Sequence, residues 1–240
     1  MRSKSSIARY SLVLVGAGHS NIALIRRFAI DPLDGMRLVV INPESTAPYS
    51  GMLPGFLAGQ YASGDLFIDI AALCKQAGAR FIRGTLDRVD AASKTLTIRH
   101  QALPNSDILT VGYDFAVLNT GAAPAENFPS SHRSCYYVKP IRNLLADLPR
   151  IDETMREANR SMVIVGGGAA GIELAFAFRA RYGENAGISL VSKRCINQDV
   201  ALKGGASLIR KALSRKHISF LEEIEVTEAS DDEVILSNGS

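Results

Sequence analysis

The sequence predicts an α/β chain with two doubly wound, three-layer units in tandem, and three observations carry that reading. A short apolar run ends in a glycine cluster at Leu12–Gly18, and a second run of the same kind recurs far downstream at Met162–Gly168. Each is followed by apolar residues at helical spacing, Ile22–Ala29 and Ile172–Tyr182. Each helical pattern then gives way to another apolar run, Leu38–Ile41 and Ile188–Val191. Strand, glycine turn, helix and strand are written twice, and such alternation builds a parallel sheet with helices on both faces.

The stretch between the two patterns reads differently. Ile68–Ala77 predicts a short helix, and Phe81–His100 alternates as a hairpin around Ala91, Ala92 and Ser93, so a β-rich insertion is expected there. Tyr113–Leu118 predicts a strand running into Thr120, Gly121, Ala122 and Pro124, a sharp exit. Ala125–Cys135 reads as a loop or linker. Pro140–Asn159 is helical, with Pro149 expected to divide it in two. A helix at Ala206–Lys216, a strand at Ile218–Leu221 and a hairpin over Glu225–Leu236 follow. Asn238-Gly239 is a hairpin-turn signal, so the sequence is expected to break off inside an unfinished fold. The domain boundaries read this way are residues 8–125, a linker with helix at 126–159, and residues 160–240.

With 47% hydrophobic and 21% charged residues, the composition is that of an ordered globular protein. The net charge of +3 comes from 27 basic residues interleaved with 24 acidic ones, which gives no basic tract for nucleic acid. No run approaches the roughly 18 apolar residues of a membrane-spanning helix. The polar start Met1–Tyr10 leads straight into a strand pattern without a secretory leader's apolar core, so a cytoplasmic address is expected. Cys74, Cys135 and Cys195 are odd in number, widely spaced and form no Cys-x-x-Cys pair, as reduced thiols would. No metal site is expected.

Gly16, Gly18, His19, Ser20 and Asn21 lie at the strand-to-helix junction where a Gly-x-Gly pattern acquires meaning. The first glycine permits a tight turn and the second lets backbone approach a pyrophosphate, whose charge the helix amides and dipole hold. Asn21 stands where a third glycine is usual, and Asn42, followed by Pro43, stands where an acid for the ribose is usual, with Glu44 close by. His19 has two readings, a phosphate contact or a packed ring. At the second junction Gly166, Gly168 and Gly171 keep all three glycines, with Ala169 and Ala170 between. Ser192, Lys193 and Arg194 follow its second strand. The basic pair suits the 2′-phosphate of NADP or belongs to a solvated loop, and the first option predicts that NADPH is used at least as well as NADH.

The opening glycine turn, Thr120-Gly121 after a strand, and Gly166–Gly171 followed by Glu173 together resemble the pyridine nucleotide-disulfide oxidoreductase superfamily, over most of the chain. The resemblance implies two Rossmann-like domains, FAD-binding first, with the NAD(P)-binding one inserted in it. Thr120, Gly121 and Ala122 would then lie against FAD and Glu173 near the nicotinamide. Tyr49, Ser50, Gly51, Met52 and Leu53, within Pro48–Gly55, and Val138–Ile141 resemble the NADH dehydrogenase-like branch sometimes joined to a selenide, water dikinase. Tyr49–Gly55 would line the flavin pocket or form a proline-stiffened surface loop. Asn42–Gly59 holds no cysteine, which argues against a dithiol relay.

The resemblance implies an FAD-dependent NAD(P)H oxidoreductase that passes electrons to a quinone-like acceptor, without a general acid or base to name. It also implies a closing segment beyond residue 240, peripheral membrane contact and a homodimer, so the 240 residues are expected to hold FAD weakly. Two other classes stay open. One is a nucleotide-binding redox sensor without turnover. The other is a flavoprotein oxidising sulfide or a selenium compound through Cys135, which a Cys135→Ser exchange would silence.

Overall fold

The computed structural model describes residues 9–100, 108–122, 134–157, 159–230 and 233–239. The chain falls into two compact units, Met1–Tyr49 with Phe67–Ala122, and Ser50–Leu66 with Ala123–Ser240. Both are α/β, with parallel pairing at their centres.

In the first unit, β1 (Tyr10–Val15) leads into α1 (His19–Ile30) and β2 (Met36–Asn42), then β3 (Thr46–Pro48). After the excursion into the second unit come β4 (Phe67–Asp69), α3 (Ile70–Gln76), β5 (Arg80–Asp90), β6 (Thr95–His100), β7 (Ile108–Gly112) and β8 (Phe115–Leu118). The six-stranded order is β7-β6-β5-β2-β1-β8. Its β5-β2-β1-β8 half is parallel, and its β5-β6-β7 half is the antiparallel insertion expected from the alternation of Phe81–His100. β1 pairs β2 in the register Val13↔Val39, so successive residues point to opposite faces. Leu14, Leu38 and Val40 join Ile25 and Phe28 of α1 and Ile70 and Cys74 of α3 on one face. Val13, Val15, Val39 and Ile41 join Ile82, Leu96 and Ile98 on the other. The expected helix at Ile68–Ala77 starts at Ile70 instead, because Phe67–Asp69 pairs with β3 and Asp69 caps the helix by accepting from Ala72 N.

The second unit begins with α2 (Leu53–Leu57), and then has α4 (Ile141–Thr154), β9 (Ser161–Val165), α5 (Ala169–Tyr182) and β10 (Gly187–Ser192). It ends with α6 (Ala206–Arg215), β11 (Ser219–Glu222), β12 (Val226–Ala229) and β13 (Val234–Leu236). β11-β10-β9 form a parallel sheet, and β12 and β13 the expected hairpin.

Three sequence expectations are corrected here. Ser50–Leu66, read as part of the first domain, belongs to the second unit, since Leu53 and Leu57 are buried in its core beside Leu174 and Phe178 of α5. The helix within 126–159 is no linker: Ile141, Leu144, Leu148 and Ile151 lie in that same core. Pro149 does not split this helix, because the buried stripe runs on in register past the proline, and packing compensates for the lost backbone bond. The loop expected at Ala125–Cys135 lies outside the described residues up to position 133. Among the described residues, no helix is long and apolar enough to cross a membrane, and no group of three or more His, Cys, Asp and Glu side chains could hold a metal.

Candidate functional site

β1 hands the chain to Gly16, whose N–H donates to Ile41 O at 2.8 Å and whose φ of +85° is left-handed. A Cβ there would stand 2.2 Å from Asn119 O, so both the turn and the close approach of β8's exit demand glycine. Gly18 donates to Asn119 O and would collide with the Asn119 side chain if it bore a Cβ. Thr120 therefore sits beside the turn, followed by Gly121 in a left-handed conformation and exposed Ala122. Gly18 caps α1 without a side-chain bond, and the first helical turn carries no acid, so the amide end over His19 and Ser20 remains a positive terminus. His19 is exposed and its ring lies 4.5 Å from that of Tyr49, which brings Tyr49 to the same turn.

Asn21 and Asn42 serve the turn from inside. Asn21 is 0% exposed, and its Nδ2 donates to Val15 O at 3.1 Å and Gly16 O at 2.8 Å. Asn42 Oδ1 accepts from Ala17 N at 3.0 Å while its Nδ2 donates to Glu44 O at 2.8 Å. The Asn21 Nδ2 and both ends of the Asn42 amide brace the backbone, while Asn21 Oδ1 is buried without a hydrogen-bond partner among the described residues. Pro43 is half-buried after Asn42.

The second junction repeats the scheme with its glycines apportioned differently. Gly166 donates to Val191 O at 2.8 Å with φ +117°. A Cβ on Gly171 would lie 1.8 Å from Gly166 O, so the helix can pack on the turn only as glycine. A Cβ on Gly168 would meet nothing within 4 Å, so this position opens onto free space. α5 also starts uncapped by any side chain and without acid in its first turn. Ala169, Ala170 and Glu173 are exposed there.

Past β10, Ser192 Oγ donates to Arg194 O at 2.7 Å, and Ser192 closes over Gly167, where a Cβ would be 2.5 Å away. Lys193 is ion-paired with Glu225, Nζ to Oε1 2.9 Å. Neither Glu225 nor Asn119 was singled out by sequence reasoning. Asn119 had only its position before Thr120 to mark it, and Glu225 reaches β10 through a loop the spacing does not reveal. Tyr49–Leu53, read as one flavin-facing segment, crosses in the chain from the first unit, which holds Tyr49, into the second, which holds Ser50–Leu53. Ser50, Gly51 and Met52 form a 3-10 turn, and Leu53 is 3% exposed in the core.

This architecture recurs in known proteins. An external alternative NAD(P)H-ubiquinone oxidoreductase B4 of Arabidopsis thaliana mitochondria is 23% identical over 183 residues, 70% of this chain and 31% of that protein. The water-forming NADH oxidase of Lactobacillus brevis, bound to NADH, superposes with a TM-score of 0.74 at 18% identity, covering 96% of this chain and 51% of that one. NDH2 of Plasmodium falciparum in complex with NADH gives 0.73 at 15% identity over 95% and 51%. The chain thus spans about a third of that curated relative and half of each solved structure. The family described as pyridine nucleotide-disulphide oxidoreductase matches residues 10–240, and with its two glycine turns in that order the chain belongs to this family.

Proposed function

We propose that this chain carries the nucleotide-binding folds of an FAD-dependent NAD(P)H oxidoreductase of the NADH dehydrogenase-like kind, passing hydride from NAD(P)H to FAD and electrons on to a quinone. In this reading the two units are Rossmann-like domains in tandem, the second inserted in the first, with FAD on the first turn and NAD(P)H on the second. The observation that carries it is the pair of uncapped, acid-free helix N-termini, each led by a glycine turn at the end of a parallel strand. Each is a site for one diphosphate.

The residues present fit such groups. At the first turn, the amide end at His19 and Ser20 would hold the FAD pyrophosphate, with Tyr49 flanking it and Thr120-Gly121 alongside. Asn21 and Asn42 would act by fixing the loop. At the second turn, the clearance over Gly168 and the amides at Ala169 and Ala170 would take the NAD(P)H pyrophosphate, with Glu173 further along the helix. Bound flavin supplies reversible two-electron chemistry, and the protein's task is binding and orientation. The relatives named for NAD(P)H-ubiquinone oxidoreduction and for NADH binding support this donor and acceptor class.

The test is an absorbance spectrum of the purified protein reconstituted with FAD, recorded before and after anaerobic NADH or NADPH. A flavin band that bleaches on donor addition and returns on adding a quinone is expected. Absence of a flavin band, or a band that neither donor changes, would overturn the reading.

A further inference from the structure

We propose that Glu225 is the donor-selecting carboxylate of the second turn, acting against Lys193; this rests on reading that turn as the NAD(P)H site. An acid at the end of the second strand accepts hydrogen bonds from a free ribose 2′-hydroxyl, whereas cations there receive a 2′-phosphate. Here the strand end offers Ser192, whose hydroxyl is turned to Arg194 O, followed by two cations and no acid.

The fold supplies the missing carboxylate from another loop. Glu223, after β11, adopts a left-handed φ of +61°, a conformation non-glycine residues rarely take. That turn lets Ile224 N donate to Ser192 O at 3.1 Å, which lays the next residue beside the end of β10. Glu225 is then fixed through its backbone, donating to Ser237 Oγ at 3.1 Å and accepting from Ser237 N at 2.8 Å. Its side chain is free of that duty and faces Lys193 at 2.9 Å.

The Lys193 and Glu225 side chains are 72% and 51% exposed, so water screens the pair and a bound nucleotide can part it at small cost. A 2′-hydroxyl nucleotide leaves the pair intact and gains Glu225 as an acceptor. A 2′-phosphate must draw Lys193 to itself, with Arg194, in the face of the Glu225 charge. Glu225 thus holds selectivity towards NADH, and Lys193 holds it towards NADPH.

The experiment measures equilibrium binding of NAD+ and NADP+ to the protein by titration calorimetry. Wild type, Glu225→Gln and Lys193→Ala are compared at low and high salt. One charge beside a phosphate in water changes binding by roughly fivefold. Glu225→Gln should therefore move the affinity ratio towards NADP+ by about that factor, and Lys193→Ala should move it as far the other way. Both shifts should shrink at high salt, which a purely structural effect would not do. Ratios that stay within about twofold of wild type in both variants, with both nucleotides still bound, overturn this inference and leave the NAD(P)H reading standing. Failure of wild type to bind either nucleotide overturns both.

Discussion

Positions 21 and 171 stand at the same step of the two glycine turns and solve one steric problem in opposite ways. At 171, a Cβ would strike the Gly166 carbonyl at 1.8 Å, so only glycine fits. At 21, a whole side chain is buried, and its amide donates to the carbonyls of Val15 and Gly16. Removing that amide strips a donor from two carbonyls at the tightest point of the turn. Asn21→Ala should lower the unfolding free energy by about 2 kcal/mol, read from urea melts. Asn21→Gly should cost at least as much, although it restores the usual motif, because glycine also adds chain entropy to the unfolded state. If Asn21→Gly were neutral, the bracing role would be wrong. Arg179 makes the parallel case in the second unit: 5% exposed, it donates to the carbonyls of Gly183, Ala186 and His217 and so ties the end of α5 to two turns. The departure at 21 was visible in the sequence, but its purpose was not, since the carbonyls it serves converge only once β1 turns into α1.

Between elements, one polar cluster fastens three helices of the second unit. Asp152 of α4 holds Arg181 of α5 through both carboxylate oxygens and accepts from Tyr182 OH at 2.9 Å, and Arg181 NH1 reaches Leu57 O at the end of α2 at 3.3 Å. The Arg181 guanidinium, with Tyr182, holds the Asp152 carboxyl below its ordinary range, while burial pushes the Tyr182 phenol up so that it stays a donor. Because the folded pKa of Asp152 is depressed, its contribution is present above the unfolded value of about 4 and is lost as pH falls through the folded one. Thermal melts from neutral pH downward should therefore show an acid limb beginning below about pH 4 that Asp152→Asn flattens, with a midpoint at neutral pH lower by a few degrees. An unchanged acid limb in the variant would remove Asp152 from the account. None of this cluster was legible beforehand: Leu53 and Leu57 sit in a Pro- and Gly-rich stretch that reads as a loop, and nothing local says which unit will bury them. Helix α4 was legible from its apolar spacing, but its continuity past Pro149 was not, because local propensity ignores the tertiary contacts of Leu148 and Ile151.

For the whole molecule, the two strand, turn and helix patterns were readable in the sequence because they rest on periods and on glycines that local geometry requires. The passage of Ser50–Leu66 from one unit to the other rests on long-range packing and was not. The outcome is a chain whose glycine turns lie in separate compact units, each with its own buried core. Damage to one turn should then spare the other. Gly16→Ala places a methyl 2.2 Å from Asn119 O at a left-handed φ, and Gly171→Ala places one 1.8 Å from Gly166 O; backbone on both sides leaves no flexible atom to yield. Gly16→Ala should weaken FAD binding by about tenfold or more in an equilibrium fluorescence titration, on the order of 1.4 kcal/mol, while NAD+ affinity stays within about twofold. Gly171→Ala should do the converse. Loss of both ligands from either single exchange, with the far-ultraviolet dichroism unchanged, would mean that one nucleotide site depends on the other, and the assignment of one diphosphate to each turn would fail.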